Sequence, residues 1–340
     1  MASVAHSSRP TPEHIFNALN AYQQTAALKS AIELDLFTTI DEGYHKVKEI
    51  AERVKASERG VRILCDFLTI LGFLNKDENL YTLSADGALF LSRRSPAYMG
   101  TIIGFLGNEW SLENFARLTD AVRRGGTADE HGDNRKPKEG LWVSFARSMA
   151  PLTIPNAIFI ASLVEAQEGK PCRVLDIAAG HGMYGITIAQ QNPKAEITAL
   201  DWPAVLEVAK ENAQKAGVNE RYTIRPGSAF EAELGNDYDV VLLTNIFHHF
   251  DPETCVELMR RVHDALRPNG KAVTLEFVPN EDRVSPPTAA AFSIIMLAST
   301  DAGDAYTFAE YEKMFRSAGF SRTSQHPVPE TPQKVLISEK

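Results

Sequence analysis

From residue 171 the chain alternates short, β-branched-rich apolar runs with stretches of helical spacing. The runs are RVLDIA, EITALD, YTIRPG, YDVVLLTN and KAVTLEFV, and after a late helical stretch, FAEYEKMFRSAGF, comes the strand-like QKVLISE. Near-continuous apolar strands are buried on both faces, and helices between them make neighbouring strands parallel. The C-terminal half is therefore expected to be an open, doubly wound α/β sheet. Ligands of such sheets bind beyond the carboxyl ends of the strands.

The first run leads into a glycine loop, VLDIAAGHGMYG, residues 174–185. Its glycines at 180, 182 and 185 spell G-x-G-x-x-G, and Asp201 lies 21 residues past the first of them. Read literally, this is the fingerprint for a dinucleotide pyrophosphate. A pyrophosphate, however, needs glycines hard against the strand so that the helix N-terminus faces it. Here Asp176 and the Ala178-Ala179 pair intervene. The second parse is D-x-A-x-G-x-G, with Asp176 at the strand end and Ala178, Gly180 and Gly182 at alternate positions. Small residues let a ligand approach the backbone closely. An acid beside them can answer an α-ammonium directly or through water, which suits a ligand with an amino-acid end and a nucleoside end. Asp201 can bind ribose hydroxyls in either parse, so the loop alone leaves both open.

Residues 14–95 are mostly helical by spacing. HIFNALNAYQQTAALKSAIELDLF repeats apolar groups at Ile15, Leu19, Tyr22, Ala26 and Leu28, and VKEIAERV follows as a short helix. Ser57 reads as the N-cap of a helix that is apolar at Val61, Leu64, Cys65, Leu68 and Leu71 and stops at Gly72. FLNKDENLYTL is then two short β-like runs around a polar turn, and Ser84 starts another helix. Three helices and a hairpin are the order of a winged helix-turn-helix, which raises a DNA-binding regulator as an alternative. Charge speaks against it: residues 1–100 carry 11 Lys and Arg against 12 Asp and Glu, and a near-neutral module lacks the phosphate neutralisation that supplies most non-specific DNA affinity. The apolar surplus of these helices points instead to burial against a second copy of the chain.

Residues 96–165 are expected to be a helical connector, interrupted by a mobile loop over 123–140. Around that loop stand Trp110, Trp142, Phe145 and Met149, large groups able to wall an apolar pocket or simply to fill core. The 340-residue chain, with 44% hydrophobic residues and a net charge of −9, reads as a globular protein with no nucleic-acid partner. MASVAHSSRPTPEH has no signal-peptide core, and the longest apolar stretch, VRILCDFLTILGFL, is too short for a membrane span. Cys65, Cys172 and Cys255 are odd in number and far apart, fitting neither a disulfide framework nor a zinc site. A cytoplasmic location follows as the expectation.

These stretches resemble the class I S-adenosylmethionine-dependent methyltransferases, specifically the caffeic acid/acetylserotonin O-methyltransferase-like family, over nearly the whole chain. VLDIAAGHG is similar to the family's first cofactor motif, with Ala178 where glycine is more usual. LDWPAVLEVA is similar to its strand-two motif, which implies Asp201 as the ribose ligand and Trp202 beside the adenine. RPGSAF resembles the third motif, covering Gly227, Ser228, Ala229 and Phe230, with Ser228 where the family often has an aspartate. LLTNIFHHFDPETC, residues 242–255, resembles the family's strand-four segment. Aligned on Asp251, Glu253 and Cys255, His248 takes the place of the catalytic histidine, His249 that of an aspartate and Phe250 that of a tryptophan. Asn245 and His249 fall on the cofactor side. TLEFVP places Glu276 where the family keeps the carboxylate that orients the histidine. A second family carboxylate falls at Ala305, with Asp304 the nearest acid. Met296, in AAAFSIIMLAST, resembles a methionine that packs over the acceptor ring, although core packing accounts for it nearly as well. The resemblance further implies a Rossmann-like, mostly parallel seven-stranded sheet. It divides the chain into a winged-helix-like dimerisation domain (1–95), a helical connector (96–165) and a cofactor-binding catalytic domain (166–340).

The chemistry suits these residues. Transfer of a methyl group from a sulfonium is an in-line displacement, so holding the reactants collinear supplies much of the rate. A phenol with pKa about 10 is only ~0.1% ionised at pH 7, which leaves ~10³-fold to a well-placed base. Neutral histidine can accept that proton, and a carboxylate behind it holds the tautomer and stabilises the imidazolium. No metal is required, and adjacent His248 and His249 are poorly spaced to chelate one ion. The expected activity is metal-independent O-methylation of an aromatic or phenolic small molecule by a homodimer, with S-adenosylmethionine as cofactor. His248 is the expected base, with His249 a possible substitute. Rival readings are a C- or N-methyltransferase, a ligand-sensing regulator and a nicotinamide-dependent oxidoreductase.

Overall fold

The computed structural model describes residues 10–129, 135–136 and 138–340. Most of the 123–140 segment therefore has a described course, but residues 130–134 and 137, on which its expected mobility partly rests, lie outside it. The chain divides into two compact units, Met1–Ile103 and Gly104–Lys340.

In the first unit, helices Glu13–Leu19 and Ala21–Glu33 are followed by Leu36–Asp41, Val47–Arg53 and Glu58–Ile70. The last starts as its sequence demands: the Ser57 hydroxyl accepts the Gly60 N–H, and Val61, Cys65 and Leu68 face inward. The polar turn closes an antiparallel hairpin, β1 (Leu74–Asp77) and β2 (Leu80–Leu83). The helix expected after Ser84 is a single wide turn, Gly87–Leu91, with the Ser84 hydroxyl accepting the Gly87 N–H. Leu36, Phe37, Ile40, Ile50, Leu68 and Tyr81 make this unit's core. Ile15, Phe16, Leu19 and Tyr22 instead form an apolar stripe facing out, from Phe16 at 58% exposed to Tyr22 at 68%.

The second unit is built on β3 (Cys172–Ile177), β4 (Ala195–Asp201), β5 (Tyr222–Pro226), β6 (Tyr238–Thr244), β7 (Leu266–Glu276), β8 (Arg322–Pro327) and β9 (Lys334–Glu339). They form one seven-stranded sheet in the order β5-β4-β3-β6-β7-β9-β8, parallel from β5 to β7 and antiparallel at β9 and β8. Val174, Leu175 and Ile177 of β3 have no exposed surface, each contributing about 1.5–3 kcal/mol by burial. This matches the run of apolar residues that identified the strand. The strand β8, RTSQHP, carries no such run. It sits at the sheet edge against β9 alone, so nothing requires it to be apolar. The chain leaves β3 toward β4 and β5, then crosses back to β6 on β3's other side. That reversal opens a crevice at the carboxyl ends of β3 and β6. Among the described residues, no helix is long and apolar enough to cross a membrane.

Candidate active site

The carboxyl ends of five strands meet around this crevice. At the end of β3, Asp176 is fully buried and its Oδ2 accepts the Gly185 N–H at 3.3 Å. Its Oδ1 has no hydrogen-bond partner among the described residues, and burial pushes the carboxyl up to about 7. Asp176 thus braces the start of helix Met183–Gln191 from beneath the loop. Ala178 follows in the left-handed region, φ +54°, which explains why glycine is the easier residue there. Gly180 and Gly182 are left-handed as well, at φ +58° and +74°. A Cβ on Gly180 would meet nothing nearer than Ala178 O at 3.9 Å, whereas one on Gly182 would lie 2.5 Å from the Tyr222 hydroxyl. Gly180 therefore turns an open face outward, and Gly182 is packed shut.

At the end of β4, Asp201 Oδ2 accepts the Gly180 N–H at 2.8 Å and Oδ1 accepts the Trp202 N–H at 2.7 Å. Its surroundings raise it to about 6, burial being the main cause. A carboxylate with one bond per oxygen keeps lone pairs for a vicinal diol. Gly227, just past β5, donates to Asp201 O at 3.0 Å. The Ser228 hydroxyl accepts the Phe230 N–H, which ties Ala229 and Phe230 into a tight turn. Trp202 caps helix Pro203–Lys215 and packs with Trp142, Val205 and Val208. An open glycine face, a buried carboxylate with spare lone pairs and an adjoining indole fit a nucleoside with an amino-acid tail.

Glu276 ends β7 with no exposed surface. Its Oε1 accepts two backbone N–H groups, Ile246 at 3.0 Å and Phe247 at 2.9 Å, and its Oε2 meets His248 Nδ1 at 2.5 Å. The register Thr244↔Leu275 between β6 and β7 brings these residues together. With Nδ1–H committed to the carboxylate, Nε2 carries the free lone pair. The His249 ring lies 4.3 Å from the His248 ring, and burial, then His248 and Lys138, hold its pKa well below the ordinary value.

Aromatic rings surround the pair. Phe292 meets His248 edge-on at 4.9 Å and stacks on Phe277 at 4.0 Å. On the other side Trp142 is 5.3 Å from His249 and 6.2 Å from Phe145. Met296 is buried on helix Phe292–Ser299, against which helix Glu109–Ala116 packs. Trp110, on the latter helix, donates its indole N–H to Asp129 with Lys138 over its face. Met149 is half-buried on the long helix Glu139–Leu163. Asp304 does not reach His248: its carboxylate pairs with Arg283 at 3.1 Å, and Ala305 beside it is buried.

Several residues of the site carry no signature in the sequence. Gly303 backs the histidine turn so closely that a Cβ there would lie 2.1 Å from His248 O, and the Tyr306 hydroxyl donates to Phe250 O. Phe277 and Phe292 were not expected in the wall. His181, inside the glycine loop, accepts the Met183 N–H on Nδ1 and is driven down to about 4 by burial.

Residues 144–321 match the model of an O-methyltransferase domain, and residues 16–93 match that of an O-methyltransferase dimerisation domain. A solved Nostoc punctiforme protein, provisionally assigned as an O-methyltransferase, is 49% identical with a TM-score of 0.93, over 98% of this chain and 100% of its own. Human N-acetylserotonin methyltransferase, solved in complex with S-adenosylmethionine, is similar in fold at 23% identity, with a TM-score of 0.84 over 98% of this chain and 99% of its own. The 3-hydroxy-5-methyl-1-naphthoate 3-O-methyltransferase of Streptomyces sahachiroi is 28% identical over 301 residues, 88% of this chain and 86% of that protein. The chain belongs to this O-methyltransferase family and is an S-adenosylmethionine-dependent methyltransferase.

Proposed function

We propose that the chain methylates a hydroxyl of an aromatic small molecule, with His248 as general base and Glu276 as the group that orients it. The observation that carries this reading is the Glu276 carboxylate, held by two backbone N–H groups and by His248 Nδ1. When bound, S-adenosylmethionine supplies an electrophilic methyl group for in-line transfer. His248 Nε2 accepts the proton of the acceptor hydroxyl, and the imidazolium so formed is stabilised by the charge on Glu276. Neutral His249 adds no competing positive charge. The base takes the hydroxyl proton directly, and the proposed step calls on no metal ion.

Asp201 receives the ribose hydroxyls, Gly180 and Ala178 give the backbone access, and Gly182 holds the turn from that loop into the helix. Trp202, Gly227, Ser228, Ala229 and Phe230 flank the base. Asn245 and His249 close the cofactor side, while Asp176 supports the loop from below. Phe292, Phe277, Trp142, Phe145, Met149 and Met296 are the wall for a flat acceptor, and Trp110 stands behind it. The hydroxynaphthoate named for the Streptomyces relative supports an aromatic acceptor. The outward stripe Ile15, Phe16, Leu19 and Tyr22, within or beside the matched dimerisation region, supports a homodimer through residues 1–95. On this reading 96–165 line the acceptor pocket and 166–340 bind the cofactor. The test is His248→Ala with a panel of phenols and labelled cofactor. Turnover should fall about a hundredfold or more while affinity for S-adenosylhomocysteine holds; undiminished turnover removes His248 as base.

A further inference from the structure

A buried relay of amides ends at the crevice, and two of its three members, Asn156 and Gln333, lie outside every motif described above. Asn156 Nδ2, on helix Glu139–Leu163, donates to Gln333 Oε1 at 2.8 Å. Gln333 Nε2, just before β9, donates to Asn245 Oδ1 at 2.5 Å. Asn156 and Gln333 are 4% and 8% exposed. Asn245, directly past β6, is half-buried and left-handed at φ +58°. The Tyr184 hydroxyl lies beside the amides of Asn156 and Asn245, and Asn156 Oδ1 is buried with no hydrogen-bond partner among the described residues.

The relay fixes where the Asn245 amide sits. Each of the three side chains holds the next by an amide-to-amide hydrogen bond, and the last of them stands at the crevice between β3 and β6. An unrestrained asparagine would be free to swing away.

We propose that Gln333 and Asn156 are positioning residues that hold the Asn245 amide in place to hydrogen-bond the amino-acid end of the cofactor. The inference rests on the cofactor placement given under Proposed function. Asn156 Oδ1 and the Tyr184 hydroxyl, both buried, mark the same corner as one whose polar demand the described residues do not fully meet.

The experiment compares two ligands by calorimetry: S-adenosylhomocysteine, and 5′-methylthioadenosine, which keeps the nucleoside and lacks the amino-acid end. Gln333→Met should weaken the first by about tenfold or more and leave the second within about twofold, since one charge-assisted hydrogen bond is at stake. Asn245→Gly, which keeps the left-handed backbone, should do the same, and the double variant should be no weaker than the worse single one. Equal weakening of both ligands, or additive losses in the double variant, overturns the proposal. Should Gln333→Met fail to fold, Asn245→Gly decides alone, and unchanged affinity for S-adenosylhomocysteine is then the overturning result. Failure of the unaltered protein to bind either ligand would count against the cofactor placement rather than the relay.

Discussion

Replacing Glu276 by glutamine changes one atom and tests the whole assignment of the base. Two backbone donors, Ile246 and Phe247, converge on Oε1, so the amide oxygen must stay there. The amide nitrogen then faces His248 Nδ1, where the carboxylate had accepted. A donor facing a donor forces the imidazole into its other tautomer, with Nδ1 accepting and the proton on Nε2. Nε2 can no longer take a proton from the acceptor. A phenol of pKa about 10 is ~0.1% ionised at about pH 7, so the loss should approach ~10³ in kcat, or about 4 kcal/mol of barrier. The same reasoning specifies the pH profile. The deficit should shrink about tenfold per pH unit as solvent ionises the phenol, and nearly vanish toward about pH 10. Fold stability should drop by only about 1 kcal/mol, since the backbone donors keep their acceptor. Initial rates of labelled methyl transfer across this range, with S-adenosylhomocysteine affinity measured alongside, read all three quantities. A deficit independent of pH, or full activity at neutral pH, refutes the tautomer mechanism.

The two glycines of the loop should separate binding from folding. Gly180→Ala enters open space, so it should cost about 1 kcal/mol of stability from its positive φ yet loosen S-adenosylhomocysteine about tenfold or more. Gly182→Ala drives a Cβ to 2.5 Å from the Tyr222 hydroxyl, so urea unfolding should show a loss of about 2 kcal/mol or more. Asp176 and Asp201 are raised to about 7 and about 6, against about 3.9 in the unfolded chain. Between those values the native state holds protons that the unfolded state has released, so their contribution to stability declines as pH rises through about 4 to about 7. Urea midpoints of the ligand-free protein should follow that decline, and a flat profile excludes it. Binding to a diol favours ionised Asp201, so S-adenosylhomocysteine affinity should weaken as pH falls below about 6. Prolonged treatment with EDTA should leave turnover unchanged, and activity restored only by added divalent ion would contradict the imidazole mechanism.

The parts of this molecule that could be read from sequence are those whose cause is local. Ser57 announces a helix start because cap and capped N–H lie three residues apart. The buried strands β3 and β6 announce themselves because both faces are covered. β8 does not, since an edge strand can be polar throughout. The contact between His248 and Glu276 spans 28 residues and depends on β6 and β7 being parallel neighbours in one register. No local pattern encodes that, and only the family resemblance pointed to it. The amide relay was invisible for the same reason at greater range: Asn156 and Gln333 are 177 residues apart, each a lone polar side chain in its own stretch. The wall was half legible. Large apolar groups can be recognised, but which of them face a cavity is decided by packing, and Phe277 and Phe292 went unseen.

The position of Glu276 ties two kinds of selection to one carboxylate. Its Oε1 closes the turn after β6, and its Oε2 serves the chemistry. A descendant with no further use for methyl transfer is free to change His248, whose removal leaves the turn closed. It is not free to lose a side-chain oxygen at position 276, because two buried backbone donors would then lose their acceptor. Inactive descendants of such a chain are therefore expected to lose the base but keep glutamate or glutamine here, so that a lone acceptor at this place marks former chemistry.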